Sequence, residues 1–135
     1  MMLLVDTSVW SLALRRDGAS DVPQVQILRD ALSSGSHTVV TTGVVLQELL
    51  QGFNGPKAVE AIVERFRALP FISPDRQDHI AAAEIRNACR RAGVQVGTID
   101  ALLIQLCARH ELTLLSTDMD FVHAARHVPL RLWQP

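Results

Sequence analysis

The stretch LLVDTS, residues Leu3–Ser8, indicates the fold class because it joins a short apolar run to an acid. A continuous apolar run of this length is typical of a strand that is buried on both faces of a parallel sheet. Asp6 ends the run, and two hydroxyl side chains follow it. Because ligands bind beyond the carboxyl ends of the strands in open parallel sheets, Asp6 is a candidate functional residue.

The stretch LTLLSTDMDF, residues Leu112–Phe121, has the same arrangement near the other end of the chain. We predict a strand over Leu112–Ser116, which Asp118 and Asp120 follow. If this strand lies beside the first one, these two acids and Asp6 share one edge of the sheet. Aspartate also favours helix N-termini, so a helix cap is the structural alternative for each residue taken alone.

Two more acids lie on predicted helices. Asp100 falls in the first turn of the helix Ile99–His110, which Thr98 is expected to cap. This helix is apolar almost all round, which predicts burial, and a buried carboxylate needs a partner. Glu48 falls beside the apolar arc of the helix Gly43–Phe53, where an ordinary boundary position is the alternative.

Together, Asp6, Glu48, Asp100 and Asp118 indicate a cation site. Converging carboxylates raise one another's pKa unless a cation neutralises them. Oxygen ligands without Cys or His suit Mg²⁺ or Mn²⁺. Such an ion can position a water molecule, make it more acidic and stabilise charge on a phosphoryl group. The pattern therefore predicts metal-dependent phosphoryl chemistry.

The order of the elements predicts an α/β fold. Short strands alternate with helices along the chain, which favours parallel pairing of the strands and a layered arrangement. A length of 135 residues fits one domain over residues 1–135.

Composition and cysteine spacing indicate the cellular compartment of the protein. The net charge of −1 gives no strong sign of a polyanionic partner. The chain opens without a basic leader and apolar segment, and no apolar run approaches the ~20 residues that span a bilayer. Cys89 and Cys107 have no zinc or disulfide spacing and fit a reducing compartment. We therefore expect a cytoplasmic protein without membrane contact.

The chain resembles a known family at several motifs. LLVDTS, the segment VLQELLQGF around Glu48, GTIDALLIQLCARH and LLSTDMDF are similar to the motifs of PIN-domain ribonucleases, and among these to VapC toxins of prokaryotic toxin–antitoxin pairs. The resemblance covers essentially the whole chain. It implies a single PIN domain over residues 1–135, with a three-layer α/β/α fold and a central, mainly parallel sheet of about five strands. It also implies Mg²⁺- or Mn²⁺-dependent cleavage of RNA, homodimers and neutralisation by a cognate VapB-type antitoxin.

The resemblance also implies roles for individual residues. The catalytic acids would be Asp6, Glu48, Asp100 and Asp118. Of these acids, Asp6, Asp100 and Asp118 would hold the metal. Possible additional members of the site are Asp120, Thr7, Ser8 and Thr117. Whether Asp118 or Asp120 is the closer metal ligand stays open at this point.

A non-enzymatic alternative is a catalytically silent PIN-like binding or scaffold module, in which the acids only cap helices. Nucleotide-binding enzymes of the common types are disfavoured, because the chain has neither GxxxxGK[ST] nor a strand–GxGxxG–helix pattern.

Two surface features remain open between a solvated face and a functional one. Arg86 and Arg90 share one helical face before the loop that leads to Asp100, where contact with an RNA phosphate is the functional interpretation. His123 and His127 lie one helical turn apart, and we interpret them as surface histidines.

Apolar helix positions also predict self-association. The candidate contact residues are Trp10, Leu14, Val59, Ile62 and Phe66. Some of this apolar surface can exceed what one small core buries, and a two-fold dimer is the commonest solution for a homo-oligomer.

Overall fold

The computed structural model describes residues 1–15 and 21–135. The strands are β1 (Met2–Val5), β2 (Thr38–Thr42), β3 (Phe71–Ile72), β4 (Thr113–Leu115) and β5 (Arg131–Leu132). The helices in these ranges are α1 (Thr7–Leu14), α2 (Pro23–Ser34), α3 (Gly43–Gln51), α4 (Pro56–Arg67), α5 (Arg76–Arg91), α6 (Thr98–His110) and α7 (Met119–Ala124).

The five strands form one parallel sheet in the order β3-β2-β1-β4-β5. The chain builds outward from β1 to β3 and then returns to the other side of β1, so the order reverses between β1 and β4. Val5 is paired with Leu115, which brings the carboxyl ends of these two strands level. Asp6 continues the pairing, because its N–H donates to the Leu115 carbonyl at 2.9 Å. The two acidic segments of the sequence are therefore neighbours.

Burial of β1 explains the layers. Successive side chains of a strand point to opposite faces of the sheet. Leu3, Leu4 and Val5 are all fully buried, so both faces of the sheet are covered at β1. The predicted three-layer α/β/α fold with a central parallel sheet is confirmed.

The apolar helix positions that we expected at a dimer contact belong largely to the core. Trp10, Ile62 and Phe66 are buried, and the rings of Trp10 and Phe66 lie 4.8 Å apart at a tilt of 47°. Leu14 and Val59 are partly buried. Core packing, including the contact of Trp10 on α1 with Phe66 on α4, therefore covers three of the five positions, and the expected homodimer stays a prediction.

The N-termini of α3 and α6 have no side-chain cap, so the expectation that Thr98 caps α6 is wrong. Thr42 precedes α3 in the N-cap position, yet its hydroxyl donates to the Ile72 carbonyl at 2.7 Å and so joins β2 to β3. Gly97 takes the N-cap position of α6, and Thr98 is the first residue of that helix. β4 is also shorter than predicted, because Ser116 turns away from the ladder toward Asp6.

Two expectations from composition can be compared with the described residues. Cys89 and Cys107 are free thiols in buried positions. Within residues 1–15 and 21–135, none of the helices has the length and apolar character that crossing a membrane requires.

A buried acid joins α5 to α6. Asp78 is 1% exposed and forms a reciprocal capping box with Asp75 at the start of α5. Its carboxylate also accepts hydrogen bonds from Gln105 and Arg109 of α6. Burial alone would raise the pKa of Asp78, but the Asp75 N–H, Gln105 and Arg109 together hold it below its ordinary value. The ionised carboxylate therefore stabilises the folded state.

We predict that Asp78→Ala lowers the free energy of unfolding by about 2 kcal/mol at neutral pH, because it removes a helix cap and a buried charge-assisted hydrogen bond. Urea titration followed by circular dichroism measures this change. A group with a depressed folded pKa stabilises above its unfolded pKa, and this stabilisation disappears as the pH falls through the folded pKa. The difference from wild type should therefore shrink in acid.

The matched control is Glu84→Ala, which removes an exposed acid from the same helix and should change stability by less than about 0.5 kcal/mol. Equal stabilities of the Asp78 and Glu84 variants would contradict a structural role for the Asp78 network.

Candidate active site

Asp6 lies at the centre of a hydrogen-bonded group beyond the end of β1. It is 7% exposed, and one carboxylate oxygen, Oδ1, accepts the Thr7 N–H at 2.8 Å. The other oxygen, Oδ2, accepts the hydroxyl of Ser8 at 3.0 Å and the hydroxyl of Ser116 at 2.8 Å. Asp6 thus caps α1, as the structural alternative proposed, and two hydroxyl groups also fix its orientation.

Ser116 is a member of the site that the sequence patterns did not single out. It is buried, and its hydroxyl oxygen accepts the Asp118 N–H at 3.0 Å while donating to Asp6. The Thr117 N–H donates to the Ser8 hydroxyl at 3.2 Å. These bonds tie the segment after β1 to the segment after β4. The signal was present in the sequence, because a hydroxyl residue accompanies the acid beyond each of these two strands.

Glu48 enters the group through Thr7. The Thr7 hydroxyl donates to Glu48 Oε1 at 3.0 Å, while its backbone N–H bonds Asp6. Glu48 is partly buried on α3, which follows β2, the neighbour of β1 in the sheet. Thr7 therefore holds two of the predicted acids at once.

The pKa of Asp100 indicates that the predicted acids lie near one another. Burial raises the pKa of Asp100 to about 6, with further upward contributions from the charges of Asp6, Asp118 and Glu48. A hydrogen bond from the Gly97 backbone opposes this rise. The pKa of a carboxyl group rises in this way where acids gather without a neutralising cation.

Asp118 and Asp120 have different surroundings. Asp118 caps α7, because its Oδ1 accepts the Asp120 N–H at 2.9 Å. Asp120 is exposed, and its charge is not among those that raise the pKa of Asp100. The structure thus brings Asp118 closer than Asp120 to the electrostatic centre of the cluster.

The cluster has the right donors for a hard cation but an open arrangement. All four side chains offer carboxylate oxygens, which Mg²⁺ and Mn²⁺ prefer. Within the part of the chain that the structure describes, no three acidic, His or Cys side chains are close enough to enclose an ion together. The residues therefore fit a cation by charge and donor type, but their spacing in this structure does not enclose one.

The arginines singled out in the sequence lie beside this cluster. Arg86 is partly buried, and its Nε–H donates to the Val96 carbonyl at 2.9 Å, in the loop before α6. Arg90 is exposed. Both side chains line a cleft of about 380 Å³ that extends to Gly97 and Asp120.

Comparison with known proteins gives the family. A model of the PIN domain matches residues 3–127. Ribonuclease VapC11 of Mycobacterium tuberculosis is 32% identical over 127 residues, which cover 93% of this chain and 92% of that protein.

Solved structures of the same fold cover nearly the whole chain. VapBC2 from Rickettsia felis, bound to a DNA fragment from its promoter, matches with a TM-score of 0.75 at 19% identity and covers 98% of both chains. VapC20 of M. tuberculosis, a toxin that cleaves the sarcin–ricin loop, matches with a TM-score of 0.71 at 20% identity, covering 96% of this chain and 98% of that one. The chain therefore belongs to the PIN-domain family and is similar to its VapC ribonucleases.

Proposed function

We propose that the chain, as a single PIN domain over residues 1–135, is a cytoplasmic endoribonuclease that requires Mg²⁺ or Mn²⁺ and acts as the toxin of a toxin–antitoxin pair. One observation carries the proposal: burial raises the pKa of Asp100 to about 6, and the nearby charges of Asp6, Asp118 and Glu48 add to this rise. Similarity to VapC ribonucleases supports RNA as the substrate class.

In this proposal Asp6, Asp100 and Asp118 hold the cation, directly or through water. The bound cation would make a water molecule more acidic and stabilise charge on the phosphoryl oxygens. Glu48 would either help to hold the cation or orient the attacking water. The hydrogen bond from the Thr7 hydroxyl sets the direction of the Glu48 carboxylate. In-line attack on phosphorus would leave a 5′-phosphate and a 3′-hydroxyl on the RNA fragments.

The hydroxyl groups preorganise the acids for this task. Ser8 and Ser116 fix one oxygen of Asp6, and the Asp120 N–H fixes one oxygen of Asp118. A site held by such supporting contacts does not have to reorganise when the reaction begins. Capping and catalysis are thus compatible, because each capped carboxylate still presents oxygen lone pairs to the cluster.

The proposed partners follow from similarity. The R. felis structure contains a VapBC assembly, and we carry over to this chain a cognate VapB-type antitoxin. We also propose a homodimer. It is supported by an apolar cleft of about 370 Å³ whose lining includes Val44, Ala83, Ile99 and Leu102.

The second candidate function is the catalytically silent module. It is favoured by the fact that Asp6 and Asp118 both cap helices. The two functions differ in their response to metal, since a cap does not need a divalent cation and a cation site binds one in the native state.

We predict that Asp6→Asn and Asp100→Asn each lower the RNA cleavage rate by more than about 100-fold, the loss that removal of a charge-stabilising group commonly causes. The assay is cleavage of total RNA in Mg²⁺ or Mn²⁺, with circular dichroism to show that the fold is kept. Asp30→Asn is the matched control, because it removes an exposed acid on α2 and should cleave at the wild-type rate. Wild-type cleavage by the Asp6 variant would show that the site is elsewhere.

We predict that Asp100→Asn raises the metal-free stability by about 1 kcal/mol above pH 6, after allowance for solvent screening of a partly exposed group. A carboxyl whose folded pKa is raised favours the folded state while protonated, so stability falls as the pH rises from its ordinary pKa of 3.8 through about 6. Asn keeps the side chain neutral and removes this loss. Thermal unfolding in EDTA between pH 4 and pH 8 checks it.

The same variant separates the two candidate functions. Mn²⁺ should raise the melting temperature of the wild-type protein, and it should raise that of Asp100→Asn less. Equal melting temperatures of the wild-type protein with EDTA and with Mn²⁺ would favour the silent module.

We predict a dimer mass in light scattering at high micromolar concentration. Apolar residues partly exposed beside the clefts would be covered in a two-fold contact, which is the commonest form of homo-oligomer. A monomer mass under these conditions would refute the homodimer without affecting the assignment of the acids.

A further inference from the structure

Two neighbouring clefts lie beside the acidic cluster. The first, of about 380 Å³, has Arg86, Arg90 and Gly97 in its lining, and the second, of about 330 Å³, has His123, Arg126 and His127. Both clefts are also lined by Val94, Gln95 and Asp120. They are therefore adjacent along the loop between α5 and α6 and reach α7, and we refer to the two together as the trough.

The trough borders the proposed catalytic site at two points. Gly97 is the N-cap residue of α6, and a Cβ placed on it would lie 3.4 Å from Asp100 Oδ2. Asp120 donates its N–H to the carboxylate of Asp118. A chain lying in the trough would thus pass directly beside two of the clustered acids.

The charges along the trough suit a polyanion. Arg90 and Arg126 are exposed, and neither forms an ion pair or a side-chain hydrogen bond with any residue in the described ranges. By contrast, Arg67 and Arg109 are paired with acids elsewhere on the surface. Unpaired guanidinium groups present planar, bidentate donors that match phosphate.

Arg86 has a different role from these two arginines. Its Nε–H donates to Val96, so the side chain fastens the loop that forms the floor of the trough and leads to Gly97. We assign Arg86 as a positioning residue. Of the two arginines expected to contact RNA phosphate, we therefore keep Arg90 as the direct contact.

The lining also indicates which part of a nucleic acid the trough contacts. Among its described lining residues there is no Phe or Trp, so the imidazoles of His123 and His127 are the only rings in it. Its arginines and the exposed Gln95 suit contact with phosphate and sugar, and Asp120 is the one acid of the described lining. The histidines that we interpreted as surface residues are exposed and belong to the same lining.

We propose that this trough holds the sugar–phosphate backbone of single-stranded RNA, with Arg90 and Arg126 contacting phosphates on either side of the segment that lies beside the acids. This inference rests on the proposed ribonuclease function and adds the path of the substrate. Contacts of this kind place the strand and do not read its sequence.

The test compares two double variants in the cleavage-deficient Asp100→Asn background. The trough variant is Arg90→Ala with Arg126→Ala. The control is Arg91→Ala with Arg76→Ala, which removes the same charge from exposed arginines that line neither cleft. Arg91 is a close match for Arg90, because both lie in the last turn of α5. Arg86 stays unchanged so that the loop keeps its position.

The measurement is fluorescence anisotropy of a short labelled oligouridylate over a range of salt concentrations. Each phosphate contact with a single strand contributes about 0.7 to the slope of log affinity against log salt. The trough variant should therefore have a slope about 1.4 smaller than the parent, and the control should keep the parent slope. A labelled oligoadenylate should show the same reduction, because the contacts do not read bases.

Equal slopes of log affinity against log salt for the trough and control variants would overturn the proposal. This result is also the one expected if the two arginines bind an acidic protein segment and not RNA. Cleavage by the protein with unmutated acids is measured in parallel. Cleavage together with equal slopes would reject the trough and keep the ribonuclease. Absence of both cleavage and RNA binding by the parent would reject both.

Discussion

The pairing of β1 with β4 is the contact on which the site depends. Val5 and Leu115 are the last residues of their strands and are paired in register. The Asp6 N–H adds one more hydrogen bond between the two segments by donating to the Leu115 carbonyl. The strand order reverses at this pair, and in parallel sheets ligands bind beyond the carboxyl ends of the strands at such a reversal. Asp6 and Asp118 therefore lie where a ligand is expected to bind.

The acids at this edge of the sheet repel one another, and hydrogen bonds from hydroxyl groups offset part of this repulsion. Burial is the main cause of the raised pKa of Asp100, and repulsion from the charges of Asp6, Asp118 and Glu48 adds to it. Asp6 is better supported, because Ser8, Ser116 and the Thr7 backbone all donate to it. A buried carboxylate with three donors is held in a fixed orientation, whereas the pKa of Asp100 is lowered only by a hydrogen bond from the Gly97 backbone.

Sequence patterns predicted the parts of the site that follow from position along a strand. Asp6 and Asp118 could be identified because an apolar run directly precedes each of their segments, and the sheet brings those runs together. Ser116 could not be identified in this way, because a hydroxyl residue at a strand end is common. Its contribution to the site depends on its distance from Asp6, which the sequence alone does not give. For a similar reason the sequence could not divide the apolar helix positions between core and contact surface, since periodicity shows an apolar face at Trp10 without showing that Phe66 covers it.

The four clustered acids come from positions 6, 48, 100 and 118, so the cluster spans most of the chain. No local segment contains more than a fraction of it. A growing chain on the ribosome has no β4 until residues 113–115 have emerged, and without that strand Asp6 lacks the partner that holds it. In a nascent chain the acidic cluster therefore cannot assemble until the segment that follows β4 has emerged. The order of the strands thus delays formation of this site during translation.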